Sequence, residues 1–189
     1  MKTLFQKLLA INTVKLFFGI LIFDFVWSIS VSYVAGLYHL SFSQGTATTK
    51  ELLPMWYIIP FAAFLEEVLF RLLPMVLFVI LVDVFSFFRD KEYTVLLLIG
   101  ILSSAFFGYL HGNWVNVFIQ GVSGFVYFLF YWKLFVQINQ ESDSIDVLFL
   151  RPLLLVVALH TTFNCICISL ALIGWFLYLQ ILKTLKTKH

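Results

Sequence analysis

The chain has 189 residues, of which 62% are hydrophobic and 12% charged, with a formal net charge of +2. Soluble domains carry about 25% charged residues, so this composition and a mean hydropathy of +1.00 exclude a soluble globular domain and place the chain in a membrane. The lysines form no long basic run, which excludes a nucleic-acid surface.

The N-terminus offers Lys2, Lys7 and Lys15 ahead of an apolar run from Leu16 to Val26. No small-x-small cleavage pattern follows at the right distance, so the run reads as an uncleaved first span over about 15–40, carrying one acid, Asp24. Residues 41–51 are rich in Ser, Gly and Thr and form a polar connection. His39 beside that connection and His189 at the chain end read as solvated.

From Leu52 to Phe88 the chain stays apolar apart from Glu66, Glu67, Arg71 and Asp83. At about 1.5 Å per residue this is too long for one perpendicular helix. A long kinked or broken helix follows, with Pro74 as the expected break, because proline removes a backbone donor and crowds the preceding turn. The charged turn Arg89-Asp90-Lys91-Glu92 leads to a span from Tyr93 to Leu110, a second span covers about 114–136, and an acidic loop runs from 137 to 146. The last span begins near Arg151-Pro152, where proline suits a first helical turn, and reaches about Leu182. The expected architecture is all-α, a polytopic bundle of five or six spans in one domain over 1–189. Three N-terminal lysines place the N-terminus in the cytoplasm by the positive-inside rule.

Charged groups inside a bilayer are costly and tend to face a partner or a watered cavity. Successive helical residues lie about 100° apart, so Glu66 and Glu67 point in different directions. Arg71 follows Glu67 by four residues, the favourable order for an ion pair on one helix face. Arg71 is therefore expected to fix Glu67, which leaves Glu66 for chemistry as a general base. His111 follows Phe107 by four residues, and Asn164 follows His160 by four, so His160 and Asn164 share a face. A base, imidazoles and an amide donor can activate water and steady an oxyanion. The bland alternative is that the Glu-Arg pair locks a helix and the His-Asn pair bridges two helices. Asp24 and Asp83 lack a basic or His neighbour in sequence and read as structural or interfacial. Cys165 and Cys167, two apart in a helical pattern, point to different sides and read as unpaired.

In order along the chain, Glu66-Glu67-Val68-Leu69-Phe70-Arg71, Phe107-Gly108-Tyr109-Leu110-His111 and His160-Thr161-Thr162-Phe163-Asn164 resemble the three motifs of the CAAX protease and bacteriocin-processing (Abi) family of intramembrane endopeptidases. The resemblance covers about 54–180, with 1–50 as an additional N-terminal span and loop. It implies a peptidase in which Glu66, helped by His111, activates water, His160 and Asn164 stabilise the oxyanion, and Glu67, Arg71 and Phe107 support the site. It implies a hydrophobic or membrane-anchored peptide substrate within a bacterial cell membrane. No cofactor is required on this reading; zinc, held by Glu66, His111 and His160, is the metal-dependent alternative. The competing functions are a non-proteolytic protein of bacteriocin self-immunity, or a peptide-binding scaffold using the same polar cluster. A proton-coupled transporter relaying through Glu66 and Asp83 is a third.

Overall fold

A computed structural model describes residues 2–38, 49–112, 114–140 and 145–186; His39, His189 and most of the 41–51 connection lie outside these. The described residues are all-α: α1 Lys2–Ala10, α2 Thr13–Leu37, α3 Thr49–Glu67, α4 Leu73–Val84, α5 Ser86–Arg89, α6 Glu92–Leu110, α7 Trp114–Asn116, α8 Val122–Asn139 and α9 Ile145–Lys186. Two π-helical turns, Val68–Leu72 between α3 and α4 and Val117–Gly121 between α7 and α8, interrupt the regular winding.

Among the described residues, four helices are long and apolar enough to cross a membrane: 13–37, 92–110, 114–139 and 147–181. The protein is a membrane protein, with fewer such helices than the five or six expected. The difference lies in the 52–88 segment. The first π-turn divides it into helices of 19 and 12 residues, and Glu66, Glu67 and Arg71 cluster at the division. The surface of α2 fits the membrane setting, because Phe18, Ile22, Val26, Ile29 and Tyr33 are exposed apolar side chains.

The break precedes Pro74 and does not fall on it. Leu73 donates its N–H to the Val68 carbonyl, a π-type bond one residue longer than the α-helical one. Pro74 has no N–H to offer the Phe70 carbonyl one turn back. Ser103 of α6 offers a donor instead, its hydroxyl lying 3.4 Å from the Phe70 oxygen and 3.3 Å from the Gly100 oxygen of its own helix, with one proton for the two. In the second π-turn, Trp27 of α2 donates its indole N–H to the Phe118 carbonyl at 2.7 Å. Both irregular turns thus hand a backbone oxygen to a neighbouring helix, which satisfies the backbone where water is scarce.

Helix α1 was not foreseen. Phe5 is buried between Tyr93, at 4.8 Å, and Trp132, at 4.9 Å between ring centroids. The end of α1 is held by Lys133 and Gln137 of α8, which both donate to the Leu9 carbonyl, a cation at a helix C-terminus where the dipole favours it. The core then runs through Ile20 and Leu21 of α2, Met75, Leu96, Phe128, Tyr131, Val156 and Leu159. The Tyr131 hydroxyl crosses from α8 to the Phe149 carbonyl of α9 at 2.9 Å. Helix α9 starts at Ile145, so Pro152 stands inside the helix and not in its first turn.

Small residues let α6 approach the second π-turn closely. A Cβ on Gly108 would lie 2.6 Å from the Asn116 carbonyl oxygen and 2.8 Å from the Gly121 nitrogen, and one on Gly121 would lie 3.0 Å from the Ser104 carbonyl oxygen. Gly100, Ser104 and Gly108 repeat every four residues, the small-residue spacing that brings membrane helices together. Since the atoms facing Gly108 are backbone, they cannot move aside as a side chain would. Gly108→Ala is expected to destabilise the protein by about 1–3 kcal/mol through overpacking, read as a lowered unfolding midpoint in detergent. A wild-type midpoint would show that the helices part without cost.

Candidate active site

The end of α3, just before the first π-turn, sets the two adjacent glutamates in different directions. Glu67 and Arg71 are fully buried, and their Oε2 and Nε atoms lie 3.2 Å apart. The other Glu67 oxygen, Oε1, accepts from Nδ1 of His160 at 2.8 Å, joining α3 to α9. The Arg71 guanidinium is stacked over the Phe107 ring, 4.7 Å from its centroid, with Tyr127 at 5.9 Å on another side. Buried charge is tolerated here because the carboxylate, the imidazole and two aromatic faces surround it. Gly124 leaves room for this cluster, since a Cβ there would come within 3.1 Å of both Arg71 Nη2 and Phe107 Cδ1.

Glu66 faces elsewhere, with its side chain 30% exposed. Its Oε1 is 3.6 Å from Nε2 of His111, and its Oε2 is 3.6 Å from Nε2 of His160. Both imidazoles are oriented from behind. Nδ1 of His111 donates to the Phe107 carbonyl at 2.8 Å, and Nδ1 of His160 donates to Glu67. In the neutral ring this leaves Nε2 of each as an acceptor, directed at the Glu66 carboxylate. Acceptors facing a carboxylate call for a shared proton or a water between them. Phe107 also packs edge-on against His111, with centroids 4.5 Å apart, which accounts for its four-residue spacing from that histidine.

These groups open on a cavity of about 400 Å³. Glu66, His111, His160 and Asn164 all line it, together with Phe107. The sequence-predicted catalytic set therefore converges on one space, with Glu67 and Arg71 immediately behind it. Asp83 is exposed near the end of α4, about 25 Å along the helix from Glu66 at 1.5 Å per residue, so no direct relay connects the two.

Sequence reasoning gave Asp24 a structural or interfacial role and passed over Asn116. Asp24 is fully buried near the hydroxyls of Tyr127 and Ser123, and neither of its carboxylate oxygens has a hydrogen-bond partner among the described residues. The signal was an acid in an otherwise apolar span; its neighbours come from α8 and are distant in sequence. Asn116 donates its side-chain N–H to the His111 carbonyl at 2.6 Å, holding the turn that carries the histidine. Its signal was weaker still, one amide five residues downstream.

The zinc alternative needs Glu66, His111 and His160 to act as ligands. Among the described residues, no group of three or more His, Cys, Asp or Glu side chains has the placement to hold a metal ion. Comparisons with protein-family models, with curated proteins and with solved structures find no match.

Proposed function

We propose that this protein is an intramembrane endopeptidase of the CAAX protease and bacteriocin-processing type, acting on a hydrophobic or membrane-anchored peptide from within a bacterial membrane, with its N-terminus in the cytoplasm. The observation that carries the reading is Glu66 standing 3.6 Å from Nε2 of both His111 and His160 at the wall of a cavity. Glu66 accepts a proton from a water in that cavity as the water oxygen attacks the substrate carbonyl carbon. His111 keeps the water and the carboxylate in register. The developing oxyanion is met by the Asn164 amide and by Nε2 of His160 when it holds the proton shared with Glu66, the ring being fixed by Glu67 at Nδ1. Collapse of the tetrahedral intermediate breaks the C–N bond, and Glu66 returns the proton to the departing amine.

Reconstituted protein incubated with apolar peptides in ¹⁸O-labelled water tests this reading. One heavy oxygen is expected in the new carboxylate of the N-terminal fragment, and none in the C-terminal fragment, which leaves as an amine. A folded protein that protects cells from a bacteriocin with Glu66→Gln in place, and that cleaves nothing, would establish the immunity or scaffold alternative instead.

On the same reading, cleavage persists after treatment with o-phenanthroline. Zinc-restorable loss of activity on chelation would transfer water activation to a metal held by Glu66, His111 and His160.

A further inference from the structure

One part of the cavity wall has no role in the proton transfers above. It is built by α2, through Ser28 and Ser32, and by the second π-turn, through Gln120. Ser28 and Ser32 follow Asp24 at intervals of four, so the three share one face of α2, which runs from buried Asp24 through half-buried Ser28 to exposed Ser32 at the cavity.

Several hydroxyls elsewhere in these helices fold back on the backbone, while those of Ser104 and Thr161 are buried without a hydrogen-bond partner among the described residues. Ser30 donates to Val26, Thr162 to Ala158 and Ser169 to Cys165, each at 2.6–2.7 Å and each to the carbonyl four residues earlier. That is the ordinary fate of a hydroxyl in an apolar helix. Among the described residues, Ser28 and Ser32 make no such bond, and Gln120 Oε1 is buried with no hydrogen-bond partner. The two sides of this wall are held together by the Trp27 indole bond to Phe118, one residue before Ser28 and two before Gln120.

We propose that Ser28, Ser32 and Gln120 form a binding site for the main chain of an unwound peptide segment. A membrane-embedded helix satisfies its own backbone, and opening it to expose an amide to attack frees N–H and C=O groups that cost several kcal/mol each in a dry medium. Serine and glutamine side chains donate and accept, so they can serve either kind of freed group irrespective of the substrate's side chains. The favoured ligand class is therefore an apolar segment interrupted by helix-breaking residues. Its role as substrate rests on the peptidase reading, but the binding itself does not require turnover.

The test uses Glu66→Gln protein in nanodiscs and two fluorescent apolar peptides, one with a central Gly-Pro-Gly and one of uninterrupted Leu and Ala. The interrupted peptide is expected to bind at least tenfold more tightly. Ser28→Ala/Ser32→Ala is expected to weaken its binding about tenfold, by the usual scale for two lost hydrogen bonds, and alanine suits a helix. Gln120→Met is expected to weaken it severalfold, and Ser28→Thr/Ser32→Thr, which keeps the hydroxyls, to bind within threefold of the parent. Equal binding of the two peptides, or unchanged binding after the alanine pair and the methionine substitution, overturns the proposal. Absence of cleavage of either peptide by the wild-type protein would sink the peptidase reading while leaving this binding measurement able to decide.

Discussion

Glu66→Gln is expected to lower peptide cleavage at least a hundredfold while leaving the unfolding midpoint close to that of the parent. The two halves of that expectation come from different parts of the structure. Removing a positioned general base typically costs about 10²–10⁴ in rate, and the glutamine amide cannot take the proton from water. The side chain is 30% exposed to the cavity, and its neighbours at 3.6 Å are imidazoles already held through Nδ1 by Phe107 and Glu67. Losing the charge therefore strands no buried partner. Single-turnover cleavage and a detergent melt on the same preparation make the comparison. Full activity in a folded variant would remove Glu66 from the chemistry. A large fall in midpoint would mean that the carboxylate is a structural tether whose loss lowers activity only indirectly.

The division of labour between Glu66 and Glu67 could be read before any coordinates, because adjacent helical residues must diverge and Arg71 lies one turn after the second of them. The convergence of His111, His160 and Asn164 on Glu66 depends on three helices meeting; the cost of polar groups in lipid pointed that way, and the family resemblance implied the same set. The π-turns were hidden for a specific reason. Proline marks the neighbourhood of an irregularity, but whether the chain kinks or inserts a residue depends on who takes the freed carbonyl. Here the taker is Ser103, 33 residues away. The count of spans failed for the same cause, since length alone suggested that 52–88 would fold or cross as a unit. Helix α2 was treated as an addition to a core beginning near residue 54. Its Ser28 and Ser32 line the cavity and make it a wall of the site, a role that the meeting of distant elements conveys and local sequence does not.

The largest effect on stability is expected at Arg71, which takes no part in the proposed chemistry. Arg71→Leu would leave the Glu67 carboxylate fully buried with only the His160 imidazole as its polar partner. Breaking one side of a buried ion pair costs about 3–5 kcal/mol, because the remaining charge keeps its desolvation penalty. The guanidinium also fills the space between Phe107 and Tyr127, so a cavity adds to the loss. Glu67→Leu/Arg71→Leu removes both charges and is expected to recover much of the unfolding midpoint, as replacement of a buried pair by apolar groups often does. Activity should not return with it. His160 would have lost the acceptor that fixes Nδ1, leaving its Nε2 free to turn away from the oxyanion. The decisive comparison is thus between midpoint and turnover across the two single variants and the double variant. If Arg71→Leu melts like the parent, the pair is not the clamp of the site; if the double variant regains turnover along with stability, Glu67 does not orient His160.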